Sequence, residues 1–247
     1  ETISALICEP ITGASGAGIT PPDDYFPMLA AICRENDILM IMDEVITGFG
    51  RTGRNFASDH WGVQPDIIVF GKGVTSGFGP LSGIIIDRRI DGVFRRKKIE
   101  FSTGHTFSGN PLSAAAACAV LDELKDKKLV AAAMEKGRYL EAGLKRLMKK
   151  HAHIIDVRGK GLLWGVEIAR VSRDHACYEP EKKMTARIVA QCFARGLMVY
   201  PSAGFIDGTH GDSILISPPL IITKPEIDLL LDLLGAALKD VFLNVKA

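Results

Sequence analysis

Cysteine, tryptophan and net charge are all scarce in this sequence of 247 residues, which carries five cysteines, two tryptophans and a formal charge of +1. The thiols Cys8, Cys33, Cys118, Cys177 and Cys192 form an odd set without a C-x-x-C pair. That argues against a disulfide framework or a thiolate metal site, and no metal is expected. Most lie within apolar patterns and read as reduced thiols packed as small hydrophobes, the usage of a cytoplasmic protein. Thirty basic residues against 29 acidic ones leave no excess charge to hold nucleic acid or an anionic membrane surface. No apolar run approaches the roughly 18 residues that a membrane span needs. Glu1-Thr2-Ile3-Ser4 lacks the basic leader and apolar stretch of a signal peptide. An apolar fraction of 47% with 24% charged residues is nonetheless ample for a packed core.

The order of patterns along the chain is that of an α/β protein. Ile3 to Cys8 is an apolar run closed by Glu9-Pro10 and reads as a buried strand. Pro21-Pro22-Asp23-Asp24 marks a helix start, followed by Tyr25, Phe26, Leu29, Ile32 and Cys33 at helical spacing. Further strands are expected at Ile38 to Met42, Ile67 to Phe70 and Gly83 to Ile86, with a short helical stretch around Asp59 to Gly62. Such a series predicts a mainly parallel sheet with helices on both faces. An Ala-rich helix begins at Asn110-Pro111, and a long amphipathic one runs from about Leu129 to His151. Beyond it, strands at Ile154 to Val157, Leu163 to Ile168, Leu197 to Tyr200 and Ser213 to Ile216 mix with helices at Thr185 to Ala194 and Pro225 to Leu243. The expected organisation is a larger domain over residues 1–150 and a smaller α+β domain over 151–247. A sheet entered at the third residue lacks neighbours, so the chain is expected to be the C-terminal part of a larger protein or to receive its other half separately.

Three local features carry chemistry. Asp43 and Glu44 end the apolar strand before the Gly-rich turn Gly48-Phe49-Gly50-Arg51-Thr52-Gly53, at the strand end where open α/β sheets bind ligands. Lys72 follows the next strand and stands between Gly71 and Gly73, where its amine can point into a crevice and lose charge through desolvation. A neutral amine attacks an aldehyde. His105-Thr106-Phe107-Ser108-Gly109-Asn110-Pro111 leads into a helix whose free N–H groups suit a phosphate. Each feature also has an ordinary alternative: a carboxylate leaving the sheet for solvent, a solvated lysine, a capped helix.

In order, these stretches resemble the class III (subgroup II) pyridoxal-phosphate aminotransferases. The resemblance rests on Glu9-Pro10-Ile11-x-Gly13, Asp43-Glu44-Val45-x-x-Gly48-Phe49-Gly50-Arg51-Thr52-Gly53, Pro65-Asp66-Ile67 through Gly71-Lys72, and Thr106-Phe107-Ser108-Gly109-Asn110-Pro111. Asp43 and Lys72 are 29 positions apart, the spacing expected in that family, and the likeness continues to Ser217-Pro218-Pro219-Leu220. It implies fold type I and pyridoxal 5'-phosphate as cofactor. It further implies that Lys72 forms the Schiff base and moves the proton, and that Asp43 keeps the pyridine nitrogen protonated. By the same resemblance Val45 packs on the ring, and Thr106 reaches the phosphate of a neighbouring subunit, hence a homodimer with shared sites.

Two departures bear on substrate. Where ornithine- and GABA-type members carry a carboxylate-clamping arginine, this chain has Leu215, and Ala14 stands where they carry its glutamate partner. Loss of both is self-consistent, since an unpaired buried charge is costly. The resemblance is therefore to ω-aminotransferases, which move an amino group from an amine or ω-amino acid to a 2-oxo acid such as pyruvate. Selectivity is expected in the loop from Tyr200 to Asp212. The alternatives are another class III enzyme, either an aminomutase or the biotin-pathway aminotransferase, or a truncated non-catalytic fragment. Tyr200 stands where the biotin-pathway enzyme has an arginine, and intact Asp43, Lys72 and Thr106 argue against a decayed gene.

Overall fold

The computed structural model describes residues 2–171, 174 and 176–243. The chain divides into two compact units, Glu1–Pro10 with Pro21–Val130, and Ile11–Thr20 with Ala131–Ala247.

In the first unit, β1 (Ala5–Cys8), β2 (Leu39–Asp43), β3 (Ile67–Phe70) and β4 (Gly83–Ile86) lie side by side in chain order. β1, β2 and β3 are parallel, with Ala5 opposite Leu39 and Asp43 opposite Val69, while β4 returns antiparallel with Gly83 opposite Phe70. Short apolar runs rich in isoleucine suit such strands, and Pro, Gly and Asp residues at their ends stop them. α1 (Tyr25–Glu35) makes the crossover from β1 to β2 and buries Phe26 and Cys33. Phe26 meets Trp61 edge to face with ring centroids 5.0 Å apart, and Trp61 Nε1 donates to the Pro22 carbonyl at 3.1 Å. The short helical stretch expected around Asp59 to Gly62 is a 3-10 helix at Ala57–Trp61.

α2 (Arg88–Lys97) has no counterpart among the sequence expectations: it carries Gly92 at its middle and buries none of its residues. Asp87 caps it, its Oδ1 accepting the Arg89 N–H at 2.8 Å. α3 (Pro111–Asp126) starts where expected, with Asn110 accepting from the Leu112 and Ser113 N–H groups and Pro111 at the first helical position.

The second unit is built on an antiparallel sheet ordered β5 (Ile154–Lys160), β6 (Leu163–Ile168), β8 (Asp212–Ile216) and β7 (Tyr200–Ala203). One face carries Trp164, Val166, Ile168, Ile214 and Ile216 into a core shared with α4 (Leu129–Lys150), α5 (Met184–Ala194) and α6 (Lys224–Leu243). Leu140 and Leu144 are fully buried there, each contributing about 1.5–3 kcal/mol. The expected partition lies at residue 150. The division falls at Val130/Ala131, because the apolar stripe of α4 is spent on the second sheet, and residues 11–20 also join the second unit.

β7 is likewise displaced from its expected place at Leu197 to Tyr200. Gly196 (φ +81°) ends α5 and the Leu197 N–H turns back to the Cys192 carbonyl, so the strand begins only at Tyr200. Pro201 is tolerated because β7 lies at the sheet edge. On the other face, Gly165 of β6 lies beneath the 11–20 segment. A Cβ there would stand 1.6 Å from the Ala17 carbonyl oxygen, so only glycine allows this approach. Among the described residues, no helix is long and apolar enough to cross a membrane.

Candidate active site

The parallel register of β2 and β3 brings their carboxyl ends together. Asp43 ends β2 opposite Val69, and Lys72 stands three positions beyond Val69, just past the end of β3. Asp43 is half-buried, and its Oδ1 accepts the N–H of Val45 at 3.0 Å, a bond that turns the chain out of the strand and fixes the carboxylate. Val45 Cγ1 lies 3.6 Å from the point a Cβ on Gly71 would occupy, and Phe49 Cβ stands equally close to such a point on Gly73. The two glycines beside Lys72 thus face the loop that follows Asp43.

Lys72 itself has φ +37°, in the left-handed region that costs a lysine about 1 kcal/mol or more. The turn Lys72–Thr75 holds it there, with the Val74 N–H on the Gly71 carbonyl at 3.2 Å and Thr75 Oγ1 on the Gly79 carbonyl at 2.6 Å. The Lys72 side chain is exposed, as in the solvated alternative weighed for a lysine at this place. Lys72 stands two residues beyond the end of β3, where the turn carries it clear of the sheet.

Glu44, between Asp43 and Val45, has no exposed surface. Its Oε2 accepts from Thr47 Oγ1 at 2.5 Å and the Ala57 N–H at 2.9 Å, and its Oε1 accepts the Ser58 N–H at 2.8 Å. Its own N–H donates to the Val69 carbonyl, and its carbonyl accepts from Gly48. The sequence marks Glu44 only as half of an acidic pair. Its use as an internal brace of the Gly-rich loop depends on partners far along the chain. His60 Nε2 closes the far side of that loop, 3.1 Å from the Thr52 carbonyl oxygen and 3.2 Å from its hydroxyl.

Thr106 stands in an exposed turn ahead of α3. Ser108 Oγ accepts the His105 N–H at 3.0 Å and the Ser108 N–H donates to the His105 carbonyl at 2.9 Å, so the turn is ordered by its own residues. The described hydrogen bonds do not join Thr106 to Asp43 or Lys72.

In the second unit, Leu215 is 5% exposed and lies between Gly165 and Tyr200 in the register of β6, β8 and β7. Side chains of register partners share a face, so Leu215 is on the face that the 11–20 segment, with Ala14, covers at Gly165. Arg158 of β5, the register partner of Gly165 on its other side, is on that face too. Its Nη1 pairs with Asp156 at 3.0 Å and with Glu167, and its Nη2 donates to the Gly16 carbonyl at 3.1 Å. The guanidinium also lies 5.5 Å from the Phe205 ring centroid, fastening the loop after β7. Arg158 was not singled out by the sequence, for its spacing to Gly16 carries no local signal.

The profile of the aminotransferase class-III family matches residues 1–238. The Bacillus subtilis aminotransferase YodT is 38% identical over 246 residues, covering 100% of this chain and 55% of its own length. The hypotaurine/taurine–pyruvate aminotransferase of Paracoccus denitrificans is 36% identical, covering 98% of this chain and 53% of its own. A solved structure, the thermostable (S)-enantioselective omega-transaminase from Thermomicrobium roseum, matches with a TM-score of 0.89 at 40% identity, over 97% of this chain and 52% of that one. The chain spans about half the length of the curated relatives it matches. With likeness over nearly its whole length, its α/β fold is that of the fold-type I transaminases.

Proposed function

This chain belongs to the class-III aminotransferase family, and we propose that in the complete protein it carries Lys72 and Asp43 as the catalytic pair of a pyridoxal-phosphate-dependent transaminase. The observation that supports this reading is that Asp43 ends one of two adjacent parallel strands and Lys72 follows the carboxyl end of the other.

The residues fit the cofactor. Asp43 commits one oxygen to Val45 and keeps the other as an acceptor for a protonated ring nitrogen. Val45 supplies an aliphatic surface for a ring, and the exposed Lys72 amine is free to reach an aldehyde. When bound, pyridoxal phosphate supplies the carbonyl through which an amino group is exchanged and the ring that accepts electrons from the α-carbon. The chain's own work is positional and protonic. Asp43 holds a proton on the ring nitrogen by charge, and Lys72 Nζ accepts the proton leaving the substrate α-carbon and returns it. Thr106, in the exposed turn ahead of α3, offers its hydroxyl to the phosphate of a neighbouring copy, in keeping with a homodimer. The thiol usage noted above supports a cytoplasmic setting.

For substrate class, an amine or ω-amino acid donor with pyruvate as acceptor follows from Leu215 and Ala14. The terminal nitrogens of Arg158, on the same face, are engaged by Asp156, Glu167 and Gly16 and do not replace the clamp. The pairing of taurine with pyruvate named for the Paracoccus denitrificans relative supports a donor without an α-carboxylate. The test is a half-reaction screen on the complete, cofactor-loaded enzyme, following loss of the bound cofactor's visible band with glutamate, β-alanine, a diamine and an aromatic amine. The amines and β-alanine are expected to discharge the band faster than glutamate. Glutamate reacting fastest would overturn the substrate class, and a band that no donor discharges would overturn the transaminase reading.

A further inference from the structure

We propose that Glu44 is a positioning residue for the cofactor site, acting through Val45 on the Asp43 carboxylate; the inference rests on the reading of Asp43 given above. Three neighbouring residues divide the work. Glu44 is fully buried while Asp43 and Val45 on either side of it are half-buried. Its carboxylate, without exposed surface, receives Thr47 Oγ1, the Ala57 N–H and the Ser58 N–H at 2.5, 2.9 and 2.8 Å. Its backbone is fastened to Val69 on one side and Gly48 on the other. The peptide between Glu44 and Val45 is therefore held from both ends, and its N–H is the group that fixes Asp43 Oδ1 at 3.0 Å. With Oδ1 tied, the direction of the second oxygen is set. Glu44 thereby determines where the negative charge of Asp43 points.

A carboxylate is required because all three partners are donors. In Glu44→Gln one acceptor oxygen becomes an N–H₂ group, which faces a backbone N–H whichever way the amide turns. The loss of one charge-assisted bond and the added donor conflict free the 45–58 loop. Thr47→Val removes a single donor and is the milder change, while Thr47→Ser keeps the hydroxyl.

The experiment compares the complete, cofactor-loaded wild type with Glu44→Gln, Thr47→Val, Thr47→Ser and Asp43→Asn. Three quantities are read: thermal stability, the Kd for pyridoxal phosphate, and the pH midpoint of the bound cofactor's visible band. Glu44→Gln is expected to raise Kd by about tenfold and to move the pH midpoint in the same sense as Asp43→Asn. Thr47→Val should move both by less, and Thr47→Ser should match the wild type. A Kd and midpoint unchanged in Glu44→Gln, with Asp43→Asn shifted, would overturn the positioning role and leave Glu44 a stability residue. If Glu44→Gln does not fold, the same decision is read from Thr47→Val against Thr47→Ser. If Asp43→Asn also leaves both quantities at wild-type values, the underlying assignment of Asp43 is the one that fails.

Discussion

Asp43 and Val69 are direct partners across two parallel strands, and this register sets the carboxylate of one strand end beside the backbone that delivers Lys72 from the other. The positive φ of Lys72 is held by the turn that follows, so the amine's placement is a property of the local fold.

That placement predicts the site of covalent attachment. Borohydride reduction of the complete holo-protein should leave the pyridoxyl label on the peptide containing Lys72, and Lys72→Ala should bind the cofactor without retaining it after reduction. A label on a different lysine would remove Lys72 from the mechanism.

Asp43→Asn is nearly isosteric and retains an acceptor for the Val45 N–H, so thermal stability should be close to wild type. Without the negative charge the ring nitrogen loses its proton, and kcat should fall on the order of 10²-fold, as for other preorganised charge-stabilising groups. Undiminished kcat in this variant would make Asp43 an ordinary strand-end carboxylate.

Leu215→Arg places a guanidinium at a position 5% exposed, with Ala14 offering no carboxylate. An unpaired charge of this kind should cost about 3–5 kcal/mol. Adding Ala14→Glu should recover at least about 1 kcal/mol if the two side chains meet. Denaturant melts of the four proteins in the cycle measure the coupling, and additive costs would mean that positions 14 and 215 do not form a pair.

The loop after β7 should be pH-sensitive. Asp207 Oδ1 accepts the His210 and Thr209 N–H groups at 2.7 and 2.9 Å, and Oδ2 meets His210 Nδ1 at 2.7 Å. The His210 backbone bond first, then its ring and the Thr209 N–H, hold the Asp207 carboxyl at about 2 against an ordinary 3.8. The carboxylate in turn raises His210 above 6.5. A depressed acid contributes order above its unfolded value of 3.8 that is lost as pH falls through about 2. A raised histidine contributes order below 6.5 that is lost as pH climbs through its folded value. The loop should therefore be best ordered between 3.8 and 6.5. In a histidine NMR titration, Asp207→Asn should return the His210 midpoint toward 6.5; an unmoved midpoint would show that the pair does not form in solution.

The strands of the first unit were legible because each is a short apolar run with Pro, Gly or Asp at its ends, and the Asn110-Pro111 helix start because cap and first residue are both of favoured types. α2 was not, because its short stripe of Ile90, Val93 and Phe94 is interrupted by Gly92 and set among Arg and Lys residues. β7 was placed too early because Leu197 and Val199 look like strand residues while Gly196 and the returning Leu197 N–H assign that stretch to the end of α5. At the site, motif and spacing pointed to Asp43 and Lys72, whereas the braces were hidden. Glu44 depends on Ala57 and Ser58, and Arg158 on Gly16, pairings that only the folded chain creates.

The cover over Gly165 comes from residues 11–20, while the sheet beneath it comes from residues beyond 131. On the ribosome the cover emerges first and must wait for β6 before it has anything to close on, so closure of the second unit is separated from the synthesis of its first residues. Nor can that unit be moved between relatives as one continuous gene segment: a graft starting at residue 131 leaves its own cover behind and inherits a foreign one. Recombination within such a family would succeed where the crossover carries both stretches from the same parent.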